Sequence, residues 1–105
     1  KIQALIPSLI EAGVQALQPL EVRAGLDVRQ LKREYGAHLT FMGNIDATHM
    51  DGDPAAIEAE IREKITVARR DGGYIYHSDH SVPSTVSWER YWWIIERVGA
   101  YGAYA

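Results

Sequence analysis

Two alternating patterns narrow the fold of this chain more than anything else in it. Four amphipathic helical stretches are separated by three short apolar runs, with glycines or capping residues at the joints. The first helical stretch places Ile2, Leu5, Ile6, Leu9 and Ile10 at i, i+3, i+4, i+7 and i+8, one face of a 3.6-residue turn. Pro7 either kinks this helix or marks its true first turn, and Gly13 is a natural stop. Val14 to Gln18 then forms a short strand ended by Pro19. Asp27 is a good N-cap for a second helix running through Val28, Leu31 and Tyr35 to Gly36. Leu39-Thr40-Phe41-Met42 is a compact apolar strand that closes on Gly43-Asn44-Ile45-Asp46. The third helix has the clearest punctuation. Asp53 caps it, Pro54 sits at its first position, and Glu58 and Glu60 are expected near the positive end of its dipole. Ile57, Ile61 and Ile65 mark its buried stripe, Arg69 and Arg70 close it, and Gly72-Gly73 break it. Tyr74-Ile75-Tyr76 is the third strand, leading into the polar loop His77-Ser78-Asp79-His80-Ser81. Ser87 caps the last helix, which carries Trp88, Tyr91, Trp92, Ile95 and Val98.

Short strands alternating with longer helices imply parallel strands joined by right-handed crossovers. The expected strands are 14–18, 39–43 and 74–77, and the expected helices 3–12, 27–35, 54–70 and 87–99. The fold class is therefore α/β, with three βα units in a single segment, 1–105. A complete β/α barrel takes eight such units and about 250 residues, so this segment reads as part of one. Three parallel strands would leave two bare edges and one uncovered apolar face. The chain also opens in mid-pattern without an initiator Met, which suggests a truncated or excised piece. Such a piece is expected to self-associate as a homo-oligomer, most simply a two-fold dimer.

Composition removes several classes of function. With 47% apolar and 24% charged residues the chain is an ordinary globular one. A net charge of −3 gives no nucleic-acid footprint. No apolar run approaches the roughly 18–20 residues of a membrane span, and Lys1 leads directly into the helical pattern with no signal peptide. The count of zero cysteines excludes disulfides and thiolate metal sites within the chain. Together these features fit a cytoplasmic protein.

In β/α barrels the working residues stand at the C-terminal ends of strands. That rule selects three groups: Glu21 and Arg23 with the turn at Gly25; Asn44, Asp46 and His49; and His77, Asp79 and His80. All three are expected on one rim. The His-Ser-Asp-His run could supply a metal ligand, a general base or a hydrogen-bond donor to a carboxylate; alternatively Asp79 or Ser81 merely shapes a turn before Pro83. Glu21 could equally form a rim ion pair with Arg23, and Asp46 could simply hold its loop through an Asx turn. His38 precedes a strand, on the opposite face, and reads as structural. The Trp88-Trp92-Trp93 cluster, at helical spacing, reads as core or interface rather than a ligand platform.

Several of these stretches together resemble the uroporphyrinogen decarboxylase-like family. They are Leu5 to Gly13, Gln18-Pro-Leu-Glu21, Asp27 to Gly36, Met42-Gly-Asn-Ile-Asp46 and Gly73 to Pro83, in order and spacing across nearly the whole chain. The resemblance implies the C-terminal third or so of a barrel from one of two kinds of enzyme. Decarboxylases remove acetate carboxyl groups from uroporphyrinogen without a cofactor. Their relatives are zinc-dependent methyltransferases that carry a methyl group from a cobamide to a thiol. In the decarboxylases a histidine in a Gly-His-Gly turn after the last strand contacts the substrate; His80 matches it, with Asp79 and Ser81 where the glycines stand. In the methyltransferases that turn carries a zinc-binding cysteine, and a glutamate similar to Glu21 also ligates. Here His80, or else His77, would replace the cysteine, and the other ligands would come from a His-x-Cys motif before the first helix. The resemblance thus implies His80 and Asp79 as catalytic residues and Arg23, Asn44 and Asp46 as substrate-binding ones. Glu21, His80 and His77 would be metal ligands in the methyltransferase case only. No cofactor is expected in the segment itself, with zinc expected only in a longer methyltransferase-like parent. The local motifs lean toward that branch, with tetrapyrrole decarboxylation and a non-catalytic, self-associating segment as the alternatives.

Overall fold

The computed structural model describes residues 3–18 and 20–103. Its three strands, β1 (Ala16–Leu17), β2 (Thr40–Met42) and β3 (Tyr74–Ile75), form one parallel sheet in sequence order. The helices are α1 (Ile6–Glu11), α2 (Val28–Tyr35), α3 (Pro54–Ala68) and α4 (Trp88–Gly102). Every expected element is present and all pairings are parallel. Lys1, Ile2 and Pro19 lie outside the described residues, so their expected roles in the first helix and at the end of β1 are not addressed.

The caps explain most of the boundaries. Asp27 accepts the Arg29 N–H, Asp53 the Ala55 N–H and Ser87 the Arg90 N–H, so α2, α3 and α4 begin where the sequence places them. Pro7 falls in the first turn of α1, where its missing N–H is harmless. Gly13 follows that helix at φ +99°, a conformation that costs glycine nothing. Two expectations are corrected. Glu58 and Glu60 stand beyond the first turn of α3, so neither serves its dipole. Glu58 instead accepts the Tyr101 hydroxyl at 2.7 Å. The last helix also runs past 99 to Gly102. Val98 and Tyr101 pack on the α3 side of the core there, and that tertiary contact carries the helix through Gly99.

Strand register decides which side chains are buried. Leu17 lies beside Phe41 and Phe41 beside Tyr74, so all three point to one face. That face receives the helices, with Leu17 and Phe41 buried among Ile6, Leu20, Val28, Leu31 and Leu39. A second cluster joins Ile57, Ile61 and Ile65 of α3 to Ile45, Met50 and Ile94. Each such isoleucine contributes about 2 kcal/mol by leaving water. The other face carries Ala16, Met42 and Ile75, and Ile75 is 47% exposed. With helices on one face only, the fold is a slab of 42 × 32 × 17 Å, one helix layer on one sheet layer. This is a sector of an α/β barrel, with its concave face and outer strand edges uncovered among the described residues.

Candidate functional site

The loop after β2 is the hub of the site, and nearly every polar group in it is engaged. Asn44 takes φ +68°, a left-handed conformation that asparagine tolerates better than most residues. Its fully buried side chain accepts the Val28 N–H at 2.8 Å and donates to the carbonyls of Leu20 and Leu26 at 2.9 and 2.8 Å. These bonds secure both ends of the loop after β1. Below it, Lys64 of α3 is buried, donating to the Asn44 carbonyl at 2.6 Å and to Glu60 at 3.0 Å. Glu60 in turn accepts the Asp46 N–H at 2.7 Å. The Tyr74 hydroxyl donates to the Gly43 carbonyl at 2.8 Å, and burial raises its pKa. Burial likewise pushes the Tyr76 phenol up to about 12.

Asp46 caps the short 3-10 turn Ala47–His49, accepting the N–H and hydroxyl of Thr48 at 3.0 and 2.6 Å. His49 reaches it at 3.2 Å from an exposed position. The loop-holding alternative for Asp46 therefore describes its contacts. Asp79 is also buried, and its two oxygens serve two different loops. One accepts the Val22 N–H at 2.9 Å and the other the Ala47 N–H at 2.9 Å. Val22 and Ala47 are the first residues of the 3-10 turns Val22–Ala24 and Ala47–His49. One carboxylate thus meets the N-terminal N–H of both turns, where backbone donors lack helical partners. Its own N–H donates to the Ile45 carbonyl at 2.8 Å, tying the third loop to the second.

Around these buried anchors the exposed residues line pockets. Glu21, Arg23, Thr48, Asp79, His80 and Ser81 border a cavity of about 290 Å³ at the strand ends. An adjoining cavity of about 310 Å³ adds Gln18, Met42, His77 and Ser78. The first and third sequence groups therefore meet around these cavities, whereas the second is represented only by Ala47 and Thr48 of its loop, and Asp46 and His49 line neither cavity. Glu21 and Arg23 form no ion pair with each other, so both remain available to a ligand. His77 lies with Nδ1 2.6 Å from the Ser78 carbonyl, which can only accept, so Nδ1 carries the proton and Nε2 is left as the acceptor in the neutral ring. The Ser78 hydroxyl donates to the His80 carbonyl and shapes the turn that presents the His80 ring. Asn44, by contrast, lines neither cavity, since its side chain is engaged inside the rim.

Two residues outside these groups support the site from below: Glu60 and Lys64. Their i,i+4 spacing was visible in the sequence, but the burial of Lys64 was not. His38 is exposed before β2, and of its groups only the backbone N–H bonds, to the Tyr35 carbonyl. The tryptophans divide. Trp93 packs on the second core with Arg90 5.9 Å from its ring, whereas Trp88 and Trp92 are 67% and 49% exposed and are not core. Among the described residues no three His, Cys, Asp or Glu side chains gather where a metal ion could be held. No described helix is long and apolar enough to cross a membrane.

No curated protein matches the chain significantly. A sequence model of one family, however, covers residues 1–101, almost every residue described above, including all three strand-end loops. The parallel βα units, the rim at the strand ends and this match agree: the chain belongs to the uroporphyrinogen decarboxylase (URO-D) family.

Proposed function

We propose that this chain forms one wall of a tetrapyrrole-decarboxylating site, with the rim pocket receiving an acidic arm of the substrate. The observation that carries the reading is the grouping of Arg23, His80, Thr48 and Ser81 around one cavity in a URO-D family chain. Arg23 and these hydrogen-bond donors suit a carboxylate ligand. Of the acidic groups on the same lining, Asp79 is already engaged by two backbone N–H groups, and Glu21 stands opposed in charge to such a ligand. In the reaction, the bond between an acetate methylene and its carboxylate breaks and CO2 departs. The electron pair left on the pyrrole-linked methylene takes up one proton, leaving a methyl group. Arg23 would hold a carboxylate that is not reacting, and His80 would donate a hydrogen bond or the proton. Fixed donors of this kind stabilise developing charge without reorganisation. Further units of the barrel, or another copy, would close the opposite wall, a need supported by the uncovered sheet face.

The methyltransferase reading fares less well. Glu21, His77 and His80 all line the cavity of about 310 Å³, but among the described residues they do not come close enough together to form a metal-holding group.

The test is anaerobic incubation of the intact protein that carries this chain with uroporphyrinogen, reading stepwise loss of carboxyl groups by chromatography. Arg23→Ala should lower kcat/KM about 10- to 100-fold, the loss of one charge-assisted contact. Methyl transfer from methylcobalamin to a thiol, with uroporphyrinogen untouched, would overturn the reading.

A further inference from the structure

We infer that Asp79 is a positioning residue for the rim pocket, and that its one carboxylate sets the loop after β1 in register with the loop after β2. This rests on reading the pocket as the ligand site. Val22 and Ala47 are 25 positions apart in sequence, with α2 and β2 between them in the chain. Asp79 bridges them from a third loop, one oxygen to each N–H at 2.9 Å, and its side chain is almost wholly buried. Glu21 immediately precedes the first clamped residue and Thr48 immediately follows the second. Arg23 lies one residue beyond Val22, within the same turn. The side chains on both banks of the cavity are therefore placed by the same group, while His80 is its immediate chain neighbour. A carboxylate is required because both partners are donors. An amide has a single acceptor oxygen, and its NH2 would face one of the two N–H groups.

The geometry separates this clamp from the other anchors. Asn44 holds Val28, and Asp46 holds Thr48, through hydrogen bonds in which Asp79 takes no part. Loss of the clamp should free two specific amides and leave those two in place.

The test uses Asp79→Asn and Asp79→Ala in the intact protein, with amide hydrogen exchange read residue by residue. Exchange at Val22 or Ala47 should rise at least tenfold in Asp79→Asn and at both in Asp79→Ala. Val28 and Thr48 should stay within about twofold of the parent. Affinity for uroporphyrin, the stable oxidised ligand, should fall at least tenfold by fluorescence titration in both variants. Unchanged exchange at Val22 and Ala47 would overturn the inference. So would freed amides with full affinity, because the loops would then not need the clamp to form the pocket. Loss of protection at Val28 and Thr48 as well would make Asp79 a support of the whole fold and would also overturn it. If the unsubstituted protein fails to bind uroporphyrin, the decarboxylase reading falls, and the exchange data still decide whether the clamp exists.

Discussion

Asn44 shows how much one side chain can hold in place. It makes three hydrogen bonds, all to backbone groups of the neighbouring unit, from a fully buried position. Asn44→Ala removes all three, leaves buried polar groups unpaired and keeps an unfavourable left-handed residue. A loss of about 3 kcal/mol is expected, read as a lower urea midpoint at unchanged slope. Lys64 makes a different argument. Its ion pair with Glu60 is buried on the lysine side and mostly covered on the glutamate side, at 8% and 19% side-chain exposure. Lys64→Met strands the Glu60 carboxylate and should cost about 3–5 kcal/mol. Lys64→Met with Glu60→Gln should recover much of that loss, because no uncompensated charge remains. A double-mutant cycle in denaturant checks both values.

At the scale of the element, the caps control where helices begin, and one of them also links stability to pH. Ser87→Ala removes the side-chain N-cap of α4 and should cost about 1 kcal/mol, measured by thermal unfolding. Asp27 caps α2 and also forms a paired hydrogen bond with the Arg29 guanidinium at 3.0 and 2.9 Å. That side-chain bond, foremost, holds the Asp27 carboxyl below its ordinary value of 3.8. The folded state therefore takes up the proton later than the unfolded state as acid is added. The contribution is fully present above about pH 4, declines as pH falls below 3.8, and is gone once pH drops beneath the lowered folded value. Asp27→Asn should flatten the fall in stability below pH 4 relative to the parent, as seen in urea midpoints collected at several pH values. An unchanged slope would mean that other carboxyls control acid sensitivity.

For the molecule as a whole, the open sheet face is the dominant fact. Ile75 and Ala16 are exposed on it, and Trp88 and Trp92 form a second exposed group on α4, their rings 5.6 Å apart edge to face, with half-buried Tyr91 stacked on Trp88. Apolar surface of this kind normally marks an interface. The 105-residue chain by itself is expected to sediment as a homo-oligomer at micromolar concentration and to show no decarboxylation or methyl transfer. A stable, folded monomer would show that the sheet face needs no cover. Turnover by that chain would show that these three units hold a complete site.

The amino-acid sequence by itself determined the element order, the parallel topology and the helix starts. Those depend on local causes: an aspartate or serine cap, a proline in a first turn, an isoleucine every fourth residue along α3. It also brought the rim residues to the correct ends of the correct strands, because alternation of strand and helix allows only one crossover hand. Which of those residues line the rim cavities and which hold the loops depended on tertiary structure. Glu21, Arg23, His77 and His80 stay at the surface, whereas Asn44, Asp46 and Asp79 turn inward to unpaired backbone N–H and C=O groups. Those unpaired groups lie 16 to 57 positions away for Asn44 and Asp79, and no pattern read along the chain could have matched each buried side chain to its partners. The same holds for Lys64, whose burial beneath the Asn44 carbonyl follows from the packing of α3 on the sheet rather than from its spacing to Glu60.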